Sequence, residues 1–480
     1  MKHYLAPYMA LLSLIAASPA TLAAPVHIGG RETIAPPSSD TLTSPPVLVN
    51  TSKLPHTVEV TLTAMTTRLS LRPGVTTNVF AYNGSVPGPT LDMREGDSVI
   101  VHFQNQLPEE TTIHWHGLHV PITSDGSPFY PIKPGGKHDY VFRVPPNSAG
   151  TYWYHPHPHF RAGFQVAKGL LGAIIVRPAV DPLPASLPDK LIILTDNRFL
   201  PDGSVDISDP HSMQGSIDLE NGREGNIIFV NGQIMPKVMI RSGEVQFWRV
   251  VNATAARVFR IAIPGQTLIH VGSDGGLFEK PEEVKDVVIA NSERAEILVR
   301  GVGAPGSKNV FQSIAYDRYM PQTRPDGWKD PIDLMSLQYS TAPPVTAPAI
   351  PKTLRRIEAL DPKKSKTTRL LVFSQGLING KTMDMNRVDV SAKLGDTEIW
   401  ELENVVGMDH PFHLHGFQFQ VLDRNGIPET QRRWKDTVNI PKHETVRIIV
   451  RYDDHPGRWM FHCHILDHED HGMMGILEVK

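Results

Sequence analysis

The chain of 480 residues has only one cysteine, Cys463, so it cannot form an internal disulfide. That cysteine is therefore either an unprotected thiol or a metal ligand. The chain also lacks a charge excess, with a formal net charge of -3, which argues against a dedicated nucleic-acid-binding protein. Helical periodicity is scarce, while 37 Gly and 42 Pro favour many short strands joined by turns.

No stretch is apolar for long enough to cross a bilayer. At the N-terminus, Lys2 and His3 precede an apolar run over 5–17 that ends among small residues, a pattern typical of a secretory signal. A twin-arginine pair is missing, which favours the ordinary secretory route. We predict a signal peptide over 1–24, a flexible Pro-, Ser- and Thr-rich lead-in over 25–54, and a periplasmic or secreted mature protein.

One pattern recurs three times along the chain. Each copy has an Asn-Gly pair, then a Gly-acidic pair that opens a β-rich stretch ending in Asn nine positions after the Gly. The copies are Asn83-Gly84 with 96–105, Asn231-Gly232 with 243–252, and Asn379-Gly380 with 395–404. Copies about 150 residues apart indicate three related domains.

Proline-rich segments at 177–188 and 341–351 separate the copies and read as linkers. Between them, short β-branched runs bounded by turns predict β-sandwich domains. We predict domain boundaries at 55–180, 181–345 and 346–480.

Four histidine clusters follow the same register. They are His114-Trp115-His116, His155-Pro156-His157, His410-Pro411-Phe412-His413-Leu414-His415, and His462-Cys463-His464. His114 in the first cluster and His413 in the third each lie nine positions after their repeat asparagine, and the second and fourth clusters follow a matching aromatic strand. A His-x-His on a strand directs both rings to one face. If the outer domains face each other with pseudo-two-fold symmetry, eight imidazoles converge, which suits three copper ions with positions left for oxygen or water.

Cys463 would point away from its neighbours His462 and His464, because alternate strand residues face opposite ways. With His468, Met473 and a second histidine it would complete the ligand set of a blue-copper centre. The first domain lacks these ligands; by register it has Thr111, Pro156, Arg161 and Val166 instead. The middle domain lacks the histidines, so we predict a spacer without copper.

Other interpretations exist for each motif. A single His-x-His often has no metal role, and Met473 alone would often be core packing. Zinc also accepts imidazole, but its structural sites are single and four-coordinate, whereas a thiolate–imidazole–thioether set lies here beside a cluster.

These motifs resemble those of the multicopper oxidases, which include laccases, bilirubin oxidases and bacterial copper-efflux oxidases, over about residues 55–480. The resemblance implies an all-β fold of three cupredoxin-like Greek-key β-sandwich domains and four copper ions, one type 1, one type 2 and two type 3. It assigns type 1 to His410, Cys463, His468 and Met473, type 2 to His114 and His413, and type 3 to His116, His155, His157, His415, His462 and His464. It also gives Asp125 and Glu469 roles in moving protons during oxygen reduction.

The implied activity is laccase-like. Four one-electron oxidations of phenolic or aromatic donors, or of low-valent metal ions, would be coupled to the reduction of O2 to two waters. We expect a monomer whose partners are O2 and these donors, with no nucleic acid and no membrane span. A donor would bind near His410 and His468, whose ring edges we expect to approach the surface, and Asp409, Asp467 and Asp470 would hold a cation or accept a proton there.

Several alternatives remain open from the sequence. The chain has only Met383 and Met385 where copper-efflux oxidases carry a methionine-rich insertion, which weakens the case for a cuprous oxidase serving envelope copper tolerance. A copper-buffering protein without oxidase activity, a copper-free relative of the division-protein type and a copper nitrite reductase are the others, the last two disfavoured by the complete ligand set. Three more histidines near the motifs, His119, His159 and His471, are expected to be outer-shell or surface groups.

Overall fold

The computed structural model describes residues 40–318 and 327–480. The predicted signal peptide, 1–24, and the first part of the predicted lead-in lie outside these residues. Residues 40–54, the rest of that lead-in, run along the body of the protein, where Leu42 N donates to Lys237 O (2.7 Å) and Leu48 N donates to Thr90 O (2.9 Å). Within the described residues, every helix is too short or too polar to traverse a lipid bilayer.

Within these residues, thirty strands form six sheets, stacked in three pairs that follow one another along the chain. The first pair has the orders β2-β1-β4-β6 and β3-β8-β7-β5, with β1 Thr57–Arg72, β2 Val75–Tyr82, β3 Gly88–Arg94, β4 Ser98–Gln106, β5 His114–His116, β6 Lys137–Arg143, β7 Gly150–His155 and β8 Gly172–Arg177. We call this pair the first sandwich.

The second pair, the middle sandwich, has the orders β10-β9-β12-β17-β14-β15 and β11-β19-β18-β13-β16. Its strands are β9 Asp189–Asn197, β10 Ile227–Val230, β11 Lys237–Ile240, β12 Val245–Asn252, β13 Phe259–Ala262, β14 Leu268–Ser273, β15 Gly276–Val284, β16 Asp286–Ile289, β17 Arg294–Arg300, β18 Lys308–Ile314 and β19 Ile332–Tyr339.

The last pair, the third sandwich, has the orders β21-β20-β23-β28-β25-β26 and β22-β30-β29-β24-β27. Its strands are β20 Thr368–Ser374, β21 Leu377–Ile378, β22 Val390–Ala392, β23 Thr397–Asn404, β24 His410–Leu414, β25 Phe419–Arg424, β26 Ile427–Pro428, β27 Thr437–Ile440, β28 Thr445–Arg451, β29 Gly457–Cys463 and β30 Met474–Val479. Three short helices complete the described chain: α1 Ala162–Ala167, α2 Met213–Asn221 and α3 Leu466–Asp470.

Each sandwich has its own apolar core between its two sheets, centred on Trp115, Trp248 and Trp400 respectively. Alternating strands bury one face in this core, as the sequence pattern requires. The predicted all-β fold of three β-sandwiches is therefore confirmed.

The recurring Asn-Gly pairs are tight turns. Asn83, Asn231 and Asn379 have φ near +50°, and the glycines that follow have φ between +69° and +78°. Two successive positive φ values are the reason for Asn-Gly in such turns. Each Asn side chain also accepts a bond from the adjoining strand, for example from Thr63 N at 2.7 Å.

The asparagine that ends each repeat does the same work in all three sandwiches. The side-chain amides of Asn105, Asn252 and Asn404 each donate to backbone carbonyls of two different segments, at 2.7–3.0 Å. Each therefore fixes the loop that leaves its strand, and in the outer sandwiches that loop leads directly to the first histidine of a cluster.

Candidate metal centre

Two strand pairs at the seam between the outer sandwiches carry most of the histidines. In the first sandwich β5 pairs with β7, so that His114 lies opposite His155. In the third sandwich β24 pairs with β29, so that His413 lies opposite His462. The matching register means that both sandwiches present their imidazoles from the same structural element.

The predicted pseudo-two-fold relation is visible in the contacts across this seam. Gln418 Nε2 donates to Gly117 O at 3.2 Å, from the third sandwich to the first. In the reverse direction, His119 Nδ1 donates to Gly416 O. The acceptors lie three positions and the donors five positions after His114 and His413 respectively, so the two sandwiches exchange the same bond.

The eight imidazoles divide into three groups by the direction of their nitrogens. In the first group, which we call the pair, the Nε2 atoms of His114 and His413 face each other at 3.4 Å. Another group, which we call the second trio, consists of His157, His415 and His462. The Nε2 atom of His462 lies 3.3 Å from Nε2 of His157 and 3.1 Å from Nε2 of His415.

The remaining imidazoles, His116, His155 and His464, form the first trio. Their ring centroids lie 4.9–5.6 Å apart. Each has one buried nitrogen with no hydrogen-bond partner among the described residues: Nδ1 of His116 and Nε2 of the other two. Three unpartnered nitrogens that face one buried space are what a bound metal ion would explain.

The protonation state of these rings also suits metal binding. Burial lowers the pKa of the first-trio imidazoles well below the usual value, and the charge each neighbouring ring would carry lowers it further. Burial likewise lowers the pKa of His462 to about 3. The imidazoles are therefore neutral and keep the lone pair that a metal ligand needs.

The sulfur-containing group lies on the other side of β29. Cys463 Sγ is 3.4 Å from His410 Nδ1 and 3.6 Å from His468 Nδ1, and all three side chains are buried. Met473 belongs to the same core, and its backbone is tied to the site because Cys463 N donates to Met473 O at 3.1 Å. Burial raises the pKa of the Cys463 thiol, so a bound cation is what would hold it as a thiolate.

Two aspartates hold the pair in equivalent ways. His114 Nδ1 donates to Asp125 O and His413 Nδ1 donates to Asp436 O, both at 2.9 Å. These bonds fix the tautomer that leaves each Nε2 free for a ligand bond.

The carboxylates of the same aspartates then cross the seam. Asp125 Oδ2 accepts from His415 Nδ1 at 3.0 Å, and Asp436 Oδ1 accepts from His116 Nε2 at 3.0 Å. Asp125 was predicted from the sequence, whereas Asp436 was not, because it lies outside the histidine motifs and 320 residues from His116.

Glu469 lies fully buried beside the second trio. Its carboxylate oxygens are 3.4 Å from His157 Nε2 and 3.3 Å from His462 Nδ1, and neither oxygen has a hydrogen-bond partner in the described chain. Burial, with a smaller contribution from Asp470, raises the pKa of Glu469 well above its usual range. A carboxyl group of this kind can hold a proton next to the imidazoles.

The expectation that His410 and His468 reach the surface is wrong. Their exposures are 1% and 3%. A segment of the middle sandwich covers them: His468 Nε2 lies 3.3 Å from Glu220 O, at the end of α2. Gly222 (φ +75°) permits this approach, since a Cβ there would come within 2.5 Å of Ile465.

The three acids next to the sulfur-containing group also turn inward. Asp409 accepts from Tyr316 OH at 2.6 Å, Asp467 from Arg223 N at 2.6 Å, and Asp470 from Gly163 N at 2.9 Å. They join the sandwiches to one another, and the prediction that they would receive a donor at the surface is not supported. The sequence places them beside the ligands but cannot give the direction of their side chains.

The additional histidines lie outside these groups. His119 binds Asp454 and Gly416 at the seam, and His159 stacks on Phe160 with 3.6 Å between ring centroids. His471 Nδ1 donates to Asp467 O at 2.7 Å.

The middle sandwich supplies contacts that the sequence did not indicate. Ser292 Oγ lies 2.7 Å from His464 Nδ1, and Arg294 pairs with Asp436. It therefore does more than separate its neighbours, although it offers none of the twelve predicted ligands.

Comparison with known proteins agrees with this geometry. Three family models described as multicopper oxidase match residues 63–181, 194–340 and 348–480. A multicopper oxidase of Staphylococcus haemolyticus is 33% identical, with 84% of each chain covered. The laccase of Bacillus subtilis is 27% identical over 90% of this chain and 96% of its own.

A solved structure gives the same relation. The multicopper oxidase of Campylobacter jejuni, described as a metallo-oxidase, superposes with a TM-score of 0.83 at 34% identity and covers 92% of this chain and 96% of its own. The chain belongs to the multicopper oxidase family. It is an oxidoreductase that takes electrons from donors and uses O2 as the acceptor.

Proposed function

We propose that the chain holds four copper ions. The sulfur-containing group, His410, Cys463, His468 and Met473, would hold one type 1 ion, and the pair would hold one type 2 ion. The two trios would hold one type 3 ion each. The observation that carries this proposal is the set of three imidazole nitrogens in the first trio that have no hydrogen-bond partner in the described chain. Buried polar groups normally have a partner, and a bound metal ion would supply it.

Bound copper would supply one-electron redox chemistry, by which four electrons and four protons convert O2 to two waters. The chain itself provides the link between the two places where this happens. Cys463 is covalently joined to His462 in one trio and His464 in the other, so a few bonds separate the sulfur-containing group from both. Because the donor side and the oxygen side are distinct, single electrons can be collected before O2 is reduced.

The proton supply belongs to Asp125 and Glu469. Asp125 touches one imidazole of the second trio through its carboxylate and the pair through its backbone. Glu469 lies within 3.4 Å of two second-trio nitrogens without a hydrogen bond to either. Both acids therefore lie where protons are consumed, and neither is neutralised by an arginine or lysine in the described chain.

The covered type 1 site favours small electron donors. Since His410 and His468 are buried and the outer nitrogen of His468 faces Glu220 O, an aromatic donor cannot lie against their ring edges. We infer that low-valent metal ions such as cuprous ion are oxidised faster than bulky phenols. The description of the Campylobacter jejuni relative as a metallo-oxidase supports this preference, while the laccase name of the Bacillus subtilis relative supports laccase-type donors as well.

The test uses the copper-loaded protein. Elemental analysis is expected to give four copper ions per chain, and O2 consumption is expected with cuprous ion and, more slowly, with a dimethoxyphenol. Faster oxidation of the phenol would overturn the donor preference alone. Four ions without O2 uptake from either donor would instead indicate copper buffering, and far fewer than four ions would overturn the ligand assignment.

The sheet pairs support domain boundaries at 55–180, 181–345 and 346–480, and the N-terminal pattern supports export to the periplasm or the medium as a monomer. Cell fractionation with N-terminal sequencing of the mature chain tests export, and light scattering tests the oligomeric state. Recovery of the protein in the cytoplasm with its N-terminus intact would contradict the first expectation.

A further inference from the structure

The middle sandwich reaches the imidazole cluster through one short loop, 290–294, at the start of β17. Two of its side chains act there. Ser292 Oγ is 2.7 Å from His464 Nδ1, and Asn291 Nδ2 donates to the backbone carbonyl of the same histidine. Ser292 Oγ thus occupies Nδ1 of His464, and Nε2 is the nitrogen left without a hydrogen-bond partner in the described chain.

The backbone of Ser292 is unusual for its position. In each sandwich the repeat asparagine donates through its backbone N–H to the residue after a left-handed turn, and the residues in that turn are Gly135, Ser292 and His443, with φ of +76°, +73° and +60°. The first sandwich uses glycine, which adopts this conformation without cost. A serine in this conformation is uncommon, and the third sandwich places His443 there with its side chain exposed.

Arg294 acts through a second residue. It is completely buried and donates through Nη1 to Asp436 Oδ1 at 2.8 Å, while Nη2 binds the other carboxylate oxygen. Asp436 Oδ1 in turn accepts from His116 Nε2 at 3.0 Å. The bidentate guanidinium fixes the carboxylate plane, and through it the tautomer that leaves Nδ1 of His116 free.

Of the two trios, these contacts fall on the first only, while the backbone carbonyl of Asp436 also holds His413 of the pair. His116 and His464 both belong to the first trio, and its third member, His155, bonds through Nδ1 to its neighbour's carbonyl, Pro156 O. In the second trio, His415 bonds to Asp125 and His462 to Cys463 O, both from the outer sandwiches.

We propose that Ser292 and Arg294 are positioning residues for the copper ion of the first trio, so that the middle sandwich controls one ion of the coupled type 3 pair and leaves the other to the outer sandwiches. This inference rests on the ligand assignment proposed above. Residues that orient a ligand imidazole from behind typically change metal affinity 10–100-fold.

The experiment uses Ser292→Gly, which removes the hydroxyl while giving the turn its least strained residue. Ser292→Ala removes the same hydroxyl but keeps a side chain at positive φ. His443→Gly is the matched control, because it makes the same backbone change at the equivalent turn of the third sandwich, where the side chain is exposed.

Fully loaded protein is dialysed against a chelator while copper content, blue absorption and electron paramagnetic resonance are followed. Ser292→Gly is expected to lose one of four ions at least tenfold faster than wild type, with the blue colour retained and a new resonance from the type 3 ion left without its partner. Ser292→Ala should lose copper in the same way and should also melt at a lower temperature than Ser292→Gly. His443→Gly should match the wild type in copper content, blue absorption and electron paramagnetic resonance.

The inference would be overturned if Ser292→Gly lost copper no faster than the wild type. Parallel loss of copper from every site would also overturn it, since that would indicate a general loss of structure. Wild-type protein that never holds four ions would overturn the ligand assignment itself, an outcome distinct from both.

Discussion

The first and third sandwiches build their histidine strands in the same register but treat the far side of those strands differently. In the third sandwich, His410 and Cys463 lie next to each other in the buried sulfur-containing group. In the first, Thr111 stands at the position of His410, and its hydroxyl donates to Gln165 Oε1 at 2.7 Å. A hydrogen bond takes the place of a ligand there, so the proposed type 1 ligand set belongs to the third sandwich.

The two seam aspartates differ in a second way. Asp436 is paired with Arg294, whereas Asp125 Oδ1 has no hydrogen-bond partner in the described chain and lies 3.4 Å from His114 Nδ1. The two equivalent aspartates therefore differ in role: Arg294 fixes the Asp436 carboxylate as a hydrogen-bond acceptor, whereas the Asp125 carboxylate keeps one oxygen available to accept a proton. Each of the following predictions tests one part of this contrast.

Cys463→Ser should have the largest effect. Without the thiolate the sulfur-containing group loses its strongest soft ligand, and the blue absorption and O2 consumption should both fall to background. Pro156→Ala, at the matching position of the first sandwich, should leave both unchanged. Visible spectra and an oxygen electrode measure the two variants, and turnover in the serine variant would contradict the assignment.

Asp125→Asn and Glu469→Gln should each slow turnover about 10²–10⁴-fold, the usual range for loss of a group that transfers protons. Blue absorption and copper content should stay at wild-type values, because neither carboxylate is a proposed ligand. Steady-state O2 uptake, compared with elemental analysis, gives the result. Unchanged turnover in both variants would show that neither carboxyl group supplies protons during O2 reduction.

Asp436→Asn should act on stability more than Asp125→Asn does. It removes the carboxylate closest to the buried Arg294 and leaves Asp274 Oδ1 at 3.6 Å, and breaking a buried ion pair typically costs about 3–5 kcal/mol. Asp125 has no such cation, so its amide variant should lower the free energy of unfolding by less. Denaturant unfolding of the copper-free chains compares the two, and equal losses would contradict the proposed separation.

The seam bonds should give the smallest effect, and it depends on pH. Burial opposes charging of His119, but its bonds to Asp454 and Gly416 outweigh this and raise its pKa. A raised folded-state pKa means that the stabilisation is complete below about pH 6.5 and is lost as pH rises through the folded value. Since Asp454 is half exposed, the contribution is below about 1 kcal/mol.

Gln418, which occupies the matching place, does not titrate in this range, so His119→Gln should make the two halves of the seam alike. The free energy of unfolding, measured below about pH 6.5 and above the folded-state pKa of His119, should fall slightly as pH rises in the wild type and stay constant in the variant. A pH dependence of the same size in His119→Gln would assign it to other groups.

The sequence allowed the fold and the histidine positions to be predicted because both depend on local, repeated signals. The Asn-Gly turns and the repeat asparagines reveal the sandwiches, and the common register reveals which histidines are equivalent. Sequence alone could not find Ser292, Arg294 or Asp436, since each contacts a histidine more than 140 residues away or acts through such a contact. Their surroundings in the chain contain no metal-binding pattern.

The cover over the sulfur-containing group was missed for a related reason. Its cover comes from the middle sandwich, and only the packing of Gly222 against Ile465 brings Glu220 to His468. Neighbourhood in the chain likewise misled the interpretation of Asp409, since strand pairing turns it toward Tyr316 and Asn439.

Arg294 also donates through Nε to Thr151 O in the first sandwich and through Nη2 to Asp274 O in the middle one. One guanidinium thus closes a joint among all three modules. A chain without the middle module would lack the guanidinium that neutralises the Asp436 carboxylate, and would need another cation beside it.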